Sequence, residues 1–193
     1  METLKERIFK VIEKQIDVKE FENWLYSETS LAERMDDDLI LELYSFNYNQ
    51  RGVDYEFRKL FLSFFDEKEF TDWKIIANLE TLSVGCKEPE RILADFYDLG
   101  YDDYPYLSSL GYSQYELEDC EYYGWNREKM ILEISKEAKQ LLLEIREWQL
   151  TSSNTDLSRF EPKAKKIDMV PNNIPNNVIA PQNKSTKWWE FWK

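Results

Sequence analysis

Eight tyrosines and eight carboxylates fall between Ile92 and Asn126, with no lysine or arginine among them. The carboxylates are Asp95, Asp98, Asp102, Asp103, Glu116, Glu118, Asp119 and Glu121. The chemistry open to such a segment is recognition of cations. A field of carboxylates steers a basic partner from a distance, and tyrosine offers broad contact area while few side-chain torsions have to be fixed. Surfaces ordinarily intersperse both signs of charge, so a stretch without a base reads as partner-facing. Within it, Tyr97, Asp98, Tyr101, Asp102, Asp103, Tyr104, Tyr106, Glu118 and Asp119 are the candidate binding residues. The plainer reading, in which a tyrosine is a half-buried prop for a polar connection, competes at each single position but explains the segment as a whole less well.

Catalysis has few groups to work with. The chain contains no histidine, which removes the commonest general base, the commonest transition-metal ligand and every Ser-His or Cys-His arrangement. The expectation is a protein without catalytic residues or a cofactor. Cys86 and Cys120 lack CxxC spacing and imidazole partners, so neither a zinc site nor a disulfide framework is indicated, and two reduced thiols suit the cytoplasm. Asp36-Asp37-Asp38 and Asp102-Asp103 lack the alternating spacing and glycine of a calcium loop; they read as helix-starting or solvated groups, and no metal is expected.

The acid belongs to the first part of the chain. Residues 1–150 hold 18 Lys+Arg against 34 Asp+Glu, a net of −16, whereas residues 151–193 hold 7 against 4, a net of +3. Nucleic-acid affinity comes chiefly from bases that displace phosphate counterions, so no nucleic-acid partner is expected. The opening Met-Glu-Thr-Leu-Lys-Glu-Arg-Ile is too charged for a signal peptide, and no apolar run approaches membrane-spanning length. Both features point to a cytoplasmic location.

The elements that must position these groups read as helices. The hydrophobic fraction of 42% suffices for a core, and four of the six prolines fall after residue 160, leaving long periodic stretches before it. Thr3-Leu-Lys-Glu6, Asp17-Val-Lys-Glu20 and Ser30-Leu-Ala-Glu33 match or resemble capping boxes. Apolar residues recur at helical spacing from Leu4 to Ile16, from Val18 to Leu25 and from Phe57 to Phe64. The segment 36–48 alternates like a strand in part but is assigned to a helix. A helix is expected from about Thr71 to Val84 and closed by Gly85, and another from Pro89 and closed by Gly100. From Tyr101 to Trp125 the pattern breaks up, with at most a short helix near Pro105–Leu110. Asn126 then caps a long helix to Leu150. The expected fold is all-α, a compact bundle of about seven to eight helices over residues 1–150, with a disordered C-terminal tail.

Residues 151–183, rich in Pro and Asn, read as a solvated linker. Residues 184–193 end it with Lys187-Trp188-Trp189-Glu190-Phe191-Trp192-Lys193. Trp188, Trp189, Phe191 and Trp192 suit docking to a partner protein or, weakly, to a membrane interface, with packing on the chain's own domain as a further reading. An adaptor working through this tail is therefore the alternative to a recognition surface on the helical body.

Two stretches carry a resemblance to a known family. VKEFENWLYSETSLAERMDDDLILELYSFNYNQRGVDYEFRKLF, from Val18 to Phe61, and the later FYDLGYDDYPYLSSLGY resemble small acidic immunity proteins of bacterial polymorphic toxin systems. The features are an FExWLY-type segment, acids before a leucine-rich ELYSFNY-type helix, a YEFRKL-type helix, and a tyrosine-rich stretch before a Leu-Gly turn. The resemblance covers about two thirds of the chain and involves no catalytic signature. It implies a cytoplasmic inhibitor that binds the toxic domain of a cognate effector, often a nuclease and hence basic. The tryptophan-rich end departs from that pattern.

Overall fold

Caps written into the sequence start most of the helices. In the computed structural model, which describes residues 3–32, 37–152 and 155–163, Thr3 Oγ1 accepts from the Glu6 amide while Glu6 Oε2 accepts from the Thr3 amide, starting α1 (Leu4–Ile12). Asp17 caps α2 (Val18–Ser27), and α3 (Thr29–Ala32) follows it directly. Asp37 caps α4 (Asp38–Ser45), so the alternating stretch 39–44 within the ambiguous segment is helical. Gly52, at φ 72°, opens α5 (Val53–Leu62). Next come α6 (Glu67–Ser83), α7 (Glu90–Tyr101), a 3-10 turn (Pro105–Leu107), α8 (Ser108–Glu118), α9 (Cys120–Tyr123) and α10 (Arg127–Thr151). The described residues form no strand, and the fold is all-α.

Two apolar clusters make the core. Helices α1, α2, α4 and α5 surround Phe9, Phe21, Phe57 and Phe61, and Phe57 meets Phe21 and Phe46 edge to face. The second cluster joins Ile75 and Leu79 of α6, Leu93 and Phe96 of α7, Leu110 of α8, and Leu142 and Ile145 of α10. Helix α6 serves both, since Phe70 near its start belongs to the first cluster and Leu82 near its end to the second. Beside α1, the carboxylate of Glu13, only 5% exposed, is approached by Arg58 at 3.6 Å and by Lys74 and Arg91 at 3.5 Å. One buried anion thus ties α5, α6 and α7 to the end of α1.

Several sequence expectations are corrected. Ser30 lies inside α3, not at its cap. Thr71 lies one turn inside α6, which Asp66 caps by accepting from the Lys68 and Glu69 amides. Gly85, at φ 89°, does end α6 in the left-handed region. Gly100 does not end α7; the helix runs on to Tyr101, and the glycine is there because Ser108 packs against it. Residues 101–125 are mostly helical, because Ser and Gly here serve close packing between helices and do not break them.

The domain boundary also moves. The folded unit extends to Lys163 and does not stop at Leu150. Leu157 is fully buried and Phe160 nearly so, and the Phe160 ring meets Tyr106 edge-on at 5.0 Å and Trp148 at 5.7 Å. Residues 155–163 therefore form a strap across the second cluster, where a solvated linker was expected. Residues 164–193, including Trp188, Trp189, Phe191 and Trp192, lie outside the described residues.

Candidate protein-binding surface

The acidic, tyrosine-rich segment is built on the pairing of α7 with α8. Gly100 lies against Ser108 and Gly111 against Tyr97, so α8 runs back antiparallel along α7. A Cβ at Gly111 would stand 2.5 Å from Tyr97 Cα, and one at Gly100 would stand 2.8 Å from the Ser108 nitrogen. Only glycine permits backbones this close. The consequence is a ridge of rings: Tyr97 meets Tyr112 and Tyr115 edge to face, each at 5.4 Å. The neighbouring Tyr115 hydroxyl raises the Tyr97 phenol above its ordinary value. Tyr101, one turn further along α7, is 82% exposed.

Charge accumulates at both ends of this ridge. Asp98, Asp102 and Asp103 stand at the C-terminal end of α7 and Glu118 and Asp119 at that of α8, all exposed. A helix C-terminus carries partial negative charge, so acids there are disfavoured and bases are the usual occupants. Neither last turn contains a base. Asp95, by contrast, pairs with Lys74 at 2.9 Å and is neutralised within the fold. Asp98, Asp102, Asp103, Glu118 and Asp119 make no ion pair with any described residue.

Two of the candidate residues belong to the interior and are withdrawn from the surface. Tyr104 is only 4% exposed, and its hydroxyl donates to Asp72 Oδ1 at 3.0 Å. Tyr106 packs between the core and Phe160, with its hydroxyl oxygen buried. Burial raises both phenols. Asp72 Oδ2 also accepts from the Leu157 amide at 3.1 Å, and Lys68 pairs with Asp156 at 2.8 Å, so this group fastens the strap. Burial raises the Asp72 carboxyl in spite of the hydrogen bonds that favour its ionised form. The connection from α7 to α8 requires this inward turn, because Tyr104 and Leu107 fill the cluster beneath it.

The structure adds exposed aromatics that were not singled out from the sequence. Tyr112, Tyr115, Tyr122, Tyr123 and Trp125 are all exposed, and Tyr123 stacks on Trp125 at 5.0 Å. Their signal was the spacing of three between Tyr112 and Tyr115, which shares a helix face only if 108–118 is helical. Among the described residues no cluster of three or more potential metal-ligating side chains forms, and no helix is long and apolar enough to cross a membrane. Cys86 and Cys120 are both free, with Cys120 buried. What the arrangement offers is a rigid aromatic ridge between two groups of uncompensated carboxylates. No family model, no curated protein and no solved structure matches this chain.

Proposed function

We propose that this chain is an immunity protein that binds and neutralises a cognate bacterial toxin, a basic nuclease-type toxin being the target its charge fits best. One observation carries the reading: the ridge of Tyr97, Tyr101, Tyr112 and Tyr115 is flanked by acids at two helix C-termini where the fold itself disfavours them. Sites that oppose the stability of their own fold are characteristic of function. A nuclease holds phosphates with basic groups, and an acidic surface of the same extent competes for those groups while its bulk excludes substrate. The resemblance of the stretches 18–61 and 96–112 to acidic immunity proteins supports the same reading.

The mechanism is stoichiometric. Asp98, Asp102, Asp103, Glu118 and Asp119 steer the toxin in, and the exposed tyrosines anchor it by filling pockets on its surface. Immunity genes sit directly downstream of their toxin genes. The test is to co-express the full-length chain with the product of the gene immediately upstream, scoring growth and co-purification. Rescue with a stable complex supports neutralisation; toxicity unrelieved and no complex would refute it.

A further inference from the structure

Beside the tyrosine ridge, a groove of about 580 Å³ runs between α8 and α10. Trp125, Met130 and Ile134 give it apolar lining, and Trp125 is 50% exposed. Glu116, Glu133 and Glu137 line it as carboxylates, with Lys129 as a cation among the lining residues. Glu133 pairs with Lys136 at 2.8 Å, whereas Glu116 makes no ion pair with any described residue. The Trp125 indole is held in place by Tyr123 stacked on it, at an interplanar angle of 24°. Glu116 follows Tyr115 directly in α8, so the groove and the ridge are built on the same helix.

We propose that this groove receives an arginine side chain of the basic partner, a deepening that rests on the partner-binding reading above. The aliphatic stem lies along Met130 and Ile134, and the guanidinium lies against the Trp125 ring and pairs with Glu116. Arginine fits better than lysine, because a planar and weakly hydrated guanidinium stacks on an indole and meets a carboxylate with two parallel donors. A pocket of this volume accommodates the side chain together with its neighbours in the partner chain. Glu116, which makes no ion pair with any described residue, supplies the charge complementarity.

The test uses the full-length, ¹⁵N-labelled protein titrated with n-butylguanidinium and, separately, with the neutral isostere n-butylurea. The Trp125 indole resonance is assigned with Trp125→Phe. A saturable shift of that indole with the cation, about tenfold weaker with the urea and weakened in Glu116→Gln, supports the assignment. No saturable shift at Trp125, or equal responses to the two compounds, overturns it. A Trp125 resonance that moves with protein concentration alone would give the groove to a second copy of the chain and overturn it likewise. Co-expression rescue is scored independently, so failure of the neutralisation reading and failure of the arginine subsite are told apart.

Discussion

Gly111 lies directly on the backbone of Tyr97: a Cβ at Gly111 would stand 2.5 Å from both the Cα and the nitrogen of Tyr97. That contact sets the separation of α7 and α8 and brings Tyr97 between the rings of Tyr112 and Tyr115. Fold and recognition surface therefore depend on the same crossing.

Gly111→Ala should push α8 away from α7, because the atoms it meets belong to backbone that cannot rotate aside. The expected loss is about 1–3 kcal/mol of stability, typical of overpacking. Urea denaturation checks this, and Gly100→Ala, opposed by the Ser108 backbone at 2.8 Å, should behave alike.

The strap makes its own prediction. Phe160→Ala removes a ring buried against Tyr106 and Trp148, and the expected loss is about 3–5 kcal/mol. A chain ending at residue 152 should melt well below the full-length protein, whereas one ending at Lys163 should melt close to it. Equal melting of all three would mean that residues 155–163 contribute nothing to the fold.

Asp72 gives a pH dependence whose sign follows from its raised carboxyl. Because the folded state holds the proton more tightly than the unfolded chain, folding takes up a proton between the two pKa values, and the stability from this group grows as pH falls through the folded value. Tyr104, Lys68 and Asp156 are the charged or titratable neighbours. The stability difference between wild type and Asp72→Asn should therefore move in favour of wild type from neutral pH down into the carboxylate range. Denaturation at a series of pH values measures it, and a difference independent of pH would contradict the assignment.

Much of the fold was legible locally. Thr3, Asp17 and Asn126 announce their helices because a cap is a contact among near neighbours, and Gly85 announces an end because only a left-handed turn is needed there. Helix α8 was missed because its inner face is made of Ser113 and Gly111 as well as Leu110 and Leu117, so small residues that pack look like residues that break. The strap was missed because Leu157 and Phe160 are isolated in a polar run, and their meaning depends on Asp72, 85 positions away. For the same reason Tyr104 read as surface: its partner, Asp72, is 32 positions distant. Asp98, Tyr101, Asp102 and Asp103 were legible as exposed groups, since acids with no base nearby have few reasons to turn inward.

Glu13 should matter more than any exposed ion pair. Glu13→Gln leaves Arg58, Lys74 and Arg91 facing one another without the carboxylate that separates them. A loss of about 1–2 kcal/mol is expected, in line with removing a buried carboxylate from among bases that are themselves partly exposed. Neutralising Glu133, whose pair with Lys136 is exposed, should leave the denaturation midpoint nearly unchanged by comparison.

Tyr101→Ala should leave stability nearly unchanged, as its side chain is largely exposed, whereas Tyr112→Ala also gives up the edge-to-face contact with Tyr97 and should cost about 1 kcal/mol. Each should speed dissociation of the neutralised partner by roughly tenfold or more if it is an anchor of the interface. Surface-immobilised partner and purified variants give that rate directly.

The most direct test of the central claim is the association rate of the full-length chain with its cognate toxin domain, measured by stopped flow over a range of salt concentrations, for wild type and for the triple variant Asp98→Asn, Asp102→Asn, Asp103→Asn. A binding face at the end of α7 predicts association slowed by roughly tenfold or more at low salt, and a shallower dependence on salt. An unchanged rate with an unchanged salt dependence would contradict it and place recognition on another face.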